Sequence, residues 1–431
     1  MMKQSKNGAG HFYIHLAAAL LAFGTVFCLT ACSGESKIET GESIEPIVTD
    51  STEPVTLPTE TTVITTTTEP AAPPDISVNM LAVGDNLVQT YVYKAAQARA
   101  AAGEEYNFAP LYEHVKPIVQ EADVAVINQE TIICGEGFEV SGSNFNFCSP
   151  PVLGDTMVDV GFDIFTLANN HMLDRGVEGL SASINYWNKM MSKYPILALG
   201  AYTGPGDQDT LRVQDIKGMR IAYLAYTESL NGYSIPDYSE LRVGRTYDEE
   251  LMERQIRRAK EVADAVVVAA HWGVEDTNIV SPPVKELAQK MINWGADVIL
   301  GSHPHTAQTM EYLTREDGTQ GFVFYSLGNF ISAQTDNFNV IGEMARFNIV
   351  KNGESGAVTV EDIGVMPVIT HYEDTFSNLR LYPYNEYTPE LANSHALPYT
   401  HAPGESAKDF SMDVINALVD ANIPKEYQWL E

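Results

Sequence analysis

The chain has 431 residues, 57 of them acidic and 26 basic, for a net charge of −31. That balance argues against nucleic acid as a partner, since nucleic acid asks for a basic stripe. It also disfavours broad docking on an anionic polymer or lipid surface unless metal ions or a local basic patch intervene.

Taken in chain order, Lys3 and Lys6 precede an apolar run from Ile14 to Leu29, and Leu29-Thr30-Ala31-Cys32 follows at once. This is the layout of an export signal, residues 1–31, and its last four residues resemble a lipobox in which Cys32 is lipidated as the mature N-terminus. Read instead as a single-span anchor, the run is near the lower limit for a bilayer crossing. Both readings place the rest of the chain on the extracytoplasmic face of the cell membrane, at the bacterial surface. Residues 32–75 are rich in Glu, Thr and Pro and too poor in apolar groups to offset the entropy of ordering, so they read as an acidic tether.

From residue 76 strand and helix signals interleave. ISVNMLAVGD predicts a strand, Leu87 to Ala101 a helix, and ADVAVINQE and VGFDIFTLANN two further strands. GVEGLSASINYWNKMM predicts a helix opened by Gly176, KGMRIAYLAYT a strand, and YDEELMERQIRRAKEVA an amphipathic helix. ADAVVVAAHWG and ADVILGSHPH are strands on either side of the helix PPVKELAQKMINWG. GFVFYSLGNFI, IGEMARFNIV and Val358 to Val368 complete the strand candidates. Strand followed by helix, repeated, argues an α/β class with antiparallel pairing added late. Runs such as AVVVAA fit strands covered on both faces. Residues 76–370 therefore read as one domain of two packed sheets, near the size limit for a single core. In the C-terminal extension, residues 371–431, DFSMDVINALVDA is the clear helix.

The chemistry gathers where apolar runs end. Asp85 closes one, Glu130 the next, then Asn170 with His171, then His271, then His303 and His305. Functional groups in α/β folds collect at strand ends, so one sheet edge is expected to carry the set. Two carboxylates, an Asn-His pair and three more histidines can hold two divalent cations and leave room for an attacking water. Mixed nitrogen and oxygen donors suit Mn, Fe or Zn better than Ca. Each residue alone has a plainer reading: Asp85 as a helix cap, Glu130 as a solvated strand end, Asn170 and His171 as a turn, His271 as packing beside Trp272, and the His-Pro-His as a rigid loop. All of these would have to hold at once. Asp174 lies three residues beyond His171 and either orients it or serves as a helix-start carboxylate. Cys134 and Cys148 flank GEGFEVSGSNFNF, a possible hairpin, and are either a disulfide favoured by export or buried free thiols.

VGD, NQET, LANNHMLDRG, AHWGVED, GSHPHTAQ and FYSLGNFI, spread over residues 76–345, resemble the motif series of the CapA family of poly-γ-glutamate capsule synthesis proteins. Its domain is similar to the calcineurin-like metallophosphoesterases. The resemblance implies a four-layer α/β/β/α sandwich and a two-metal phosphoesterase type of site. It also implies partnership with an anionic envelope polymer and with membrane synthetase or export subunits. By the same resemblance Asp85 is the first metal carboxylate, Glu130 bridges both metals, and Asn170, His271, His303 and His305 are the remaining ligands. His171 takes the place of the general acid or transition-state stabiliser, and Asn329 of GNF that of a substrate contact, with Glu275 and Asp276 also in the motifs. Leu87 stands where the His of an Asp-x-His opening would be, so one metal position is a ligand poorer or weakly occupied. Three functions stay open: a component of a polymer apparatus, a free-standing hydrolase of phosphoester or γ-glutamyl amide bonds, and a non-catalytic polymer-binding module.

Overall fold

A computed structural model describes residues 72–135, 137–400 and 404–431. The signal, Cys32 and nearly all of the tether lie outside the described residues. No helix among the described residues is long and apolar enough to cross a membrane.

The first eight strands are β1 (Ile76–Asn86), β2 (Val124–Asn128), β3 (Ile164–Thr166), β4 (Leu197–Leu199), β5 (Ala201–Tyr202), β6 (Arg212–Ile216), β7 (Met219–Thr227) and β8 (Arg242–Val243). The rest are β9 (Ala265–His271), β10 (Val298–Ser302), β11 (Met310–Thr314), β12 (Gln320–Phe324), β13 (Asn329–Ile331), β14 (Ile341–Lys351), β15 (Val358–Glu373) and β16 (Ser377–Pro383). One sheet runs β16-β15-β14-β1-β2-β3-β4 with β13 paired to β1; a second runs β11-β12-β10-β9-β7-β6; β5 and β8 form a small ribbon.

The period of two along the second sheet sorts its residues into two cores. Ile221, Tyr223 and Ala225 of β7, with Val267, Val298, Leu300 and Phe324, share one core with the first sheet. Their alternates Ala222, Leu224 and Tyr226, with Val266, Val268 and Ile299, share the other with the helices Glu249–Val262 and Pro282–Trp294. Phe324 meets Phe347 of β14 at 5.7 Å between ring centroids, across the two sheets. On the outer face of the first sheet the helix Gly176–Lys193 lays Trp187 against Phe165 of β3. Helix, sheet, sheet, helix is thus the order of layers, the sandwich expected.

Three expectations need adjusting. GFVFYSLGNFI is two strands, not one: β12 belongs to the second sheet and β13 to the first, and the chain crosses between them at Gly328, where φ is +63°. The helix expected from Leu87 begins at Thr90, because Leu87 and Val88 are buried in the core instead. The sheet also continues past residue 370, since β15 ends at Glu373 and β16 pairs along its edge. Buried Leu379 and Leu381 hold that last strand in the core.

Candidate metal centre

Parallel strands point their C-terminal ends the same way, and the predicted ligands stand there. They come from both sheets, not from one edge: Asp85, Glu130, Asn170 and His171 from the ends of β1, β2 and β3, and His271, His303 and His305 from the ends of β9 and β10. Asp85, Glu130, Asn170, His171, His271 and His305 are each 5% exposed or less. Gly84 makes the close approach possible, because a Cβ there would sit 1.9 Å from the Gly328 carbonyl oxygen, which accepts the Asp85 N–H. His303 and His305 both adopt positive φ, +97° and +56°. For a residue other than glycine that conformation is strained, and such strain concentrates at functional sites.

Asp85, Glu130 and His305 form a buried triad whose donor atoms lie within 4.8 Å of one another. Asp85 Oδ2 is 3.3 Å from His305 Nδ1 and accepts the His303 N–H at 3.2 Å. Glu130 Oε1 faces three imidazoles, with Nε2 of His171, His271 and His305 at 3.8, 3.8 and 3.7 Å. These distances are too long for hydrogen bonds and are what ligands about 2 Å from a shared ion span. Both Glu130 oxygens, and Nδ1 of His303, are buried without a hydrogen-bond partner among the described residues. Orphaned buried carboxylate oxygens are costly, and a divalent cation satisfies them. The residues present fit a metal.

The protonation pattern agrees. Burial, then the charge of Asp85, pushes Glu130 well above the usual carboxylate range. Burial holds His271 well below its ordinary value, helped by His303, and burial with the neighbouring His305 brings His303 down to about 4. His305 goes the other way: burial opposes its charge, yet Glu130 and Asp85 outweigh this and lift it to about 10.

Asn170 Oδ1 lies 2.9 Å from His271 Nε2, which fits its predicted role as an amide ligand beside that ring. His171 presents Nε2 to Glu130, while its Nδ1 meets Asp174 Oδ2 at 2.9 Å. The same Asp174 oxygen accepts the Phe147 N–H, and Phe147 packs edge-on to His171 at 4.7 Å. Asp174 is therefore a positioning residue. Asn329, expected as a substrate contact, is buried; its Oδ1 faces His305 Nδ1 at 3.0 Å and its amide donates to Gln334 and the Asn339 carbonyl, so it steadies that ring. Leu87 is buried in the core and offers no donor. Of the two readings open for Cys134 and Cys148, the structure has the second: they are free buried thiols, the first hydrogen-bonded to the second. Backbone bonds from Cys134 to Ser149 and between Ser141 and Cys148 already close the hairpin.

Sequence reading missed the partners behind the ligands. Asn128 donates to Asp85 Oδ1, Ser302 Oγ meets His271 Nδ1, Asn169 accepts the His171 N–H, and Asn231 accepts from Asn170. Asn128 and Ser302 stand one or two residues from a predicted ligand, which was the available signal.

Comparison with known proteins follows the same lines. The capsule biosynthesis protein CapA of Bacillus anthracis is 28% identical over 283 residues, 64% of this chain, and the chain spans 65% of that relative's length. The PGA biosynthesis protein CapA of Bacillus subtilis is 27% identical over 272 residues, 63% of this chain and 67% of the relative. Among solved structures, the NAD nucleotidase of Haemophilus influenzae aligns with a TM-score of 0.43 and 11% identity, over 80% of this chain and 60% of that one. The model of the family described as bacterial capsule synthesis protein PGA_cap matches residues 79–334, more than half of the chain and every predicted metal ligand, and the chain belongs to that family.

Proposed function

We propose that the chain is a surface lipoprotein of the CapA type, serving the biosynthesis or export of a poly-γ-glutamate-like envelope polymer through hydrolytic metal chemistry. One observation carries the chemical half of this reading: fully buried Glu130, both oxygens unpartnered, facing three imidazoles at 3.7–3.8 Å. Family membership supports the polymer half. Asp85, Glu130 and His305 would hold one divalent cation, and Glu130, Asn170, His271 and His303 a second, with Mn, Fe or Zn suiting the donors. Leu87 leaves the first position an imidazole short. Bound there, such ions lower the pKa of water and draw charge from the oxygens of a phosphoester or amide.

The side chains do the rest. Asp174 holds His171 by Nδ1, so Nε2 stays turned to the centre and donates a proton to the leaving group. Asn231 braces both Asn170 and His171 at 3.2 and 3.4 Å. The lipid anchor at Cys32 would keep this chemistry beside membrane synthetase or export subunits. A non-catalytic polymer-binding module is the second reading, and the missing donor at Leu87 favours it.

The test is turnover of phosphodiester and γ-glutamyl substrates by the purified full chain loaded with Mn or Zn, with loss of activity in Asn170→Ala and His171→Ala. A wild type inert under every metal rejects the hydrolase. Cys32→Ser should release the chain from the membrane fraction, and deletion should alter the extracellular polymer.

A further inference from the structure

We propose that the cleft flanked by Arg242 and Arg245 is a carboxylate-binding subsite that seats the free acid groups of a γ-linked glutamate chain next to the metal centre. This rests on the polymer reading above and adds to it where the polymer is held. The cleft has a volume of about 330 Å³, and its walls include Leu230, Ile235, Pro236, Asp237, Arg242 and Arg245.

Its position is fixed by one shared loop. Leu230 lines the cleft, and the next residue, Asn231, touches Asn170 and His171. Arg245 donates to the carbonyls of Thr227 and Glu228, and the Glu228 N–H donates to the His271 carbonyl. The segment Thr227–Asn231 therefore has the metal centre on one side and the arginines on the other.

Charge marks the cleft. Acidic residues outnumber basic ones 57 to 26, and Arg212, Arg254, Arg257, Arg315 and Arg380 each have a carboxylate partner. Arg242 and Arg245 belong with Arg99, Arg175, Arg220, Arg258 and Arg346 to the arginines that have none among the described residues, and these two stand together in the wall of one cleft. Arg242 commits Nη1 to the carbonyls of Ser239, Glu240 and Leu241, which fixes the guanidinium while leaving its other nitrogens without a protein acceptor. Arg245 is stacked over Tyr247 at 4.7 Å, so it too is held in place. A guanidinium fork held rigid by carbonyls and an aromatic face matches a carboxylate at little entropic cost. One acidic residue, Asp237, lines the cleft against the two arginines. An anionic polymer repelled by the rest of this acidic surface would find here the local positive patch it needs.

The experiment is fluorescence anisotropy of a labelled γ-linked oligoglutamate titrated with the full chain at low salt, with metal content measured on the same samples. Arg242→Gln should weaken binding about tenfold or more, the size expected for one lost charged hydrogen-bond pair. Arg242→Lys should recover part of the loss, and Asp237→Asn should tighten binding. An unchanged Kd in a folded Arg242→Gln chain overturns the proposal, as does polyphosphate binding equally well with the same dependence on Arg242. A chain without bound metal that still needs Arg242 for the oligomer rejects the hydrolase reading and keeps the subsite. A metal-bearing chain indifferent to Arg242 does the reverse.

Discussion

Neither Glu130 oxygen has a hydrogen-bond partner among the described residues, whereas Asp85 beside it has Asn128 and the His303 N–H. That asymmetry leaves Glu130 the carboxylate most in need of a cation. The residue types were legible because buried strand-end Asp, Glu and His are expensive unless something pays them back in charge. Asn329 was less legible, because an Asn after Gly at a strand end has the same appearance whether it meets substrate or steadies a neighbouring ring. Asp174 was readable by its spacing from His171, though the Phe147 N–H that shares its oxygen was not. Asp174→Asn should keep the metal and the fold and lower kcat about 100-fold with little change in KM. Unchanged kcat would show that His171 does not depend on this carboxylate.

The elements were legible wherever an apolar run was long and its period clear. β1, β7 and β9 fall where the sequence puts them. The crossing inside GFVFYSLGNFI was hidden, because an unbroken apolar run looks the same whether it stays in one sheet or passes between two. That crossing brings the Gly328 carbonyl onto the Asp85 N–H, and Gly84 makes room for it. Gly84→Ala must push β1 away from Gly328, and it should cost about 2 kcal/mol or more in urea unfolding and reduce metal content together. Wild-type stability and metal content in that variant would remove Gly84 from the account. Asp163, which precedes β3, accepts the Ala125 N–H, and burial lifts its carboxyl to about 6. A folded-state value above the unfolded one means that the folded chain favours the protonated acid. Stability from this group is therefore present below about pH 4 and lost as pH rises through 6. Asp163→Asn should be stabilising by about 1 kcal/mol above pH 6 and not at pH 4, read from unfolding at both. A gap that is the same at both pH values would refute this.

At the scale of the whole molecule, two sheets pack face to face, and ligands from both meet at one end. Neither sheet carries a complete set, so the centre forms only when the sandwich does, and metal binding should add to the stability of the entire domain. Near neutrality His305 carries a proton in the metal-free chain, and a metal ligand must give that proton up. Affinity should therefore rise with pH, and binding should release protons. The most direct test is calorimetric titration of the metal-stripped full chain with Mn or Zn in buffers of different ionisation enthalpy, at two pH values. The predicted result is saturable binding of at least one equivalent, with proton release at both pH values, lost in Glu130→Gln. Absence of binding, or binding that Glu130→Gln leaves intact, would contradict the account.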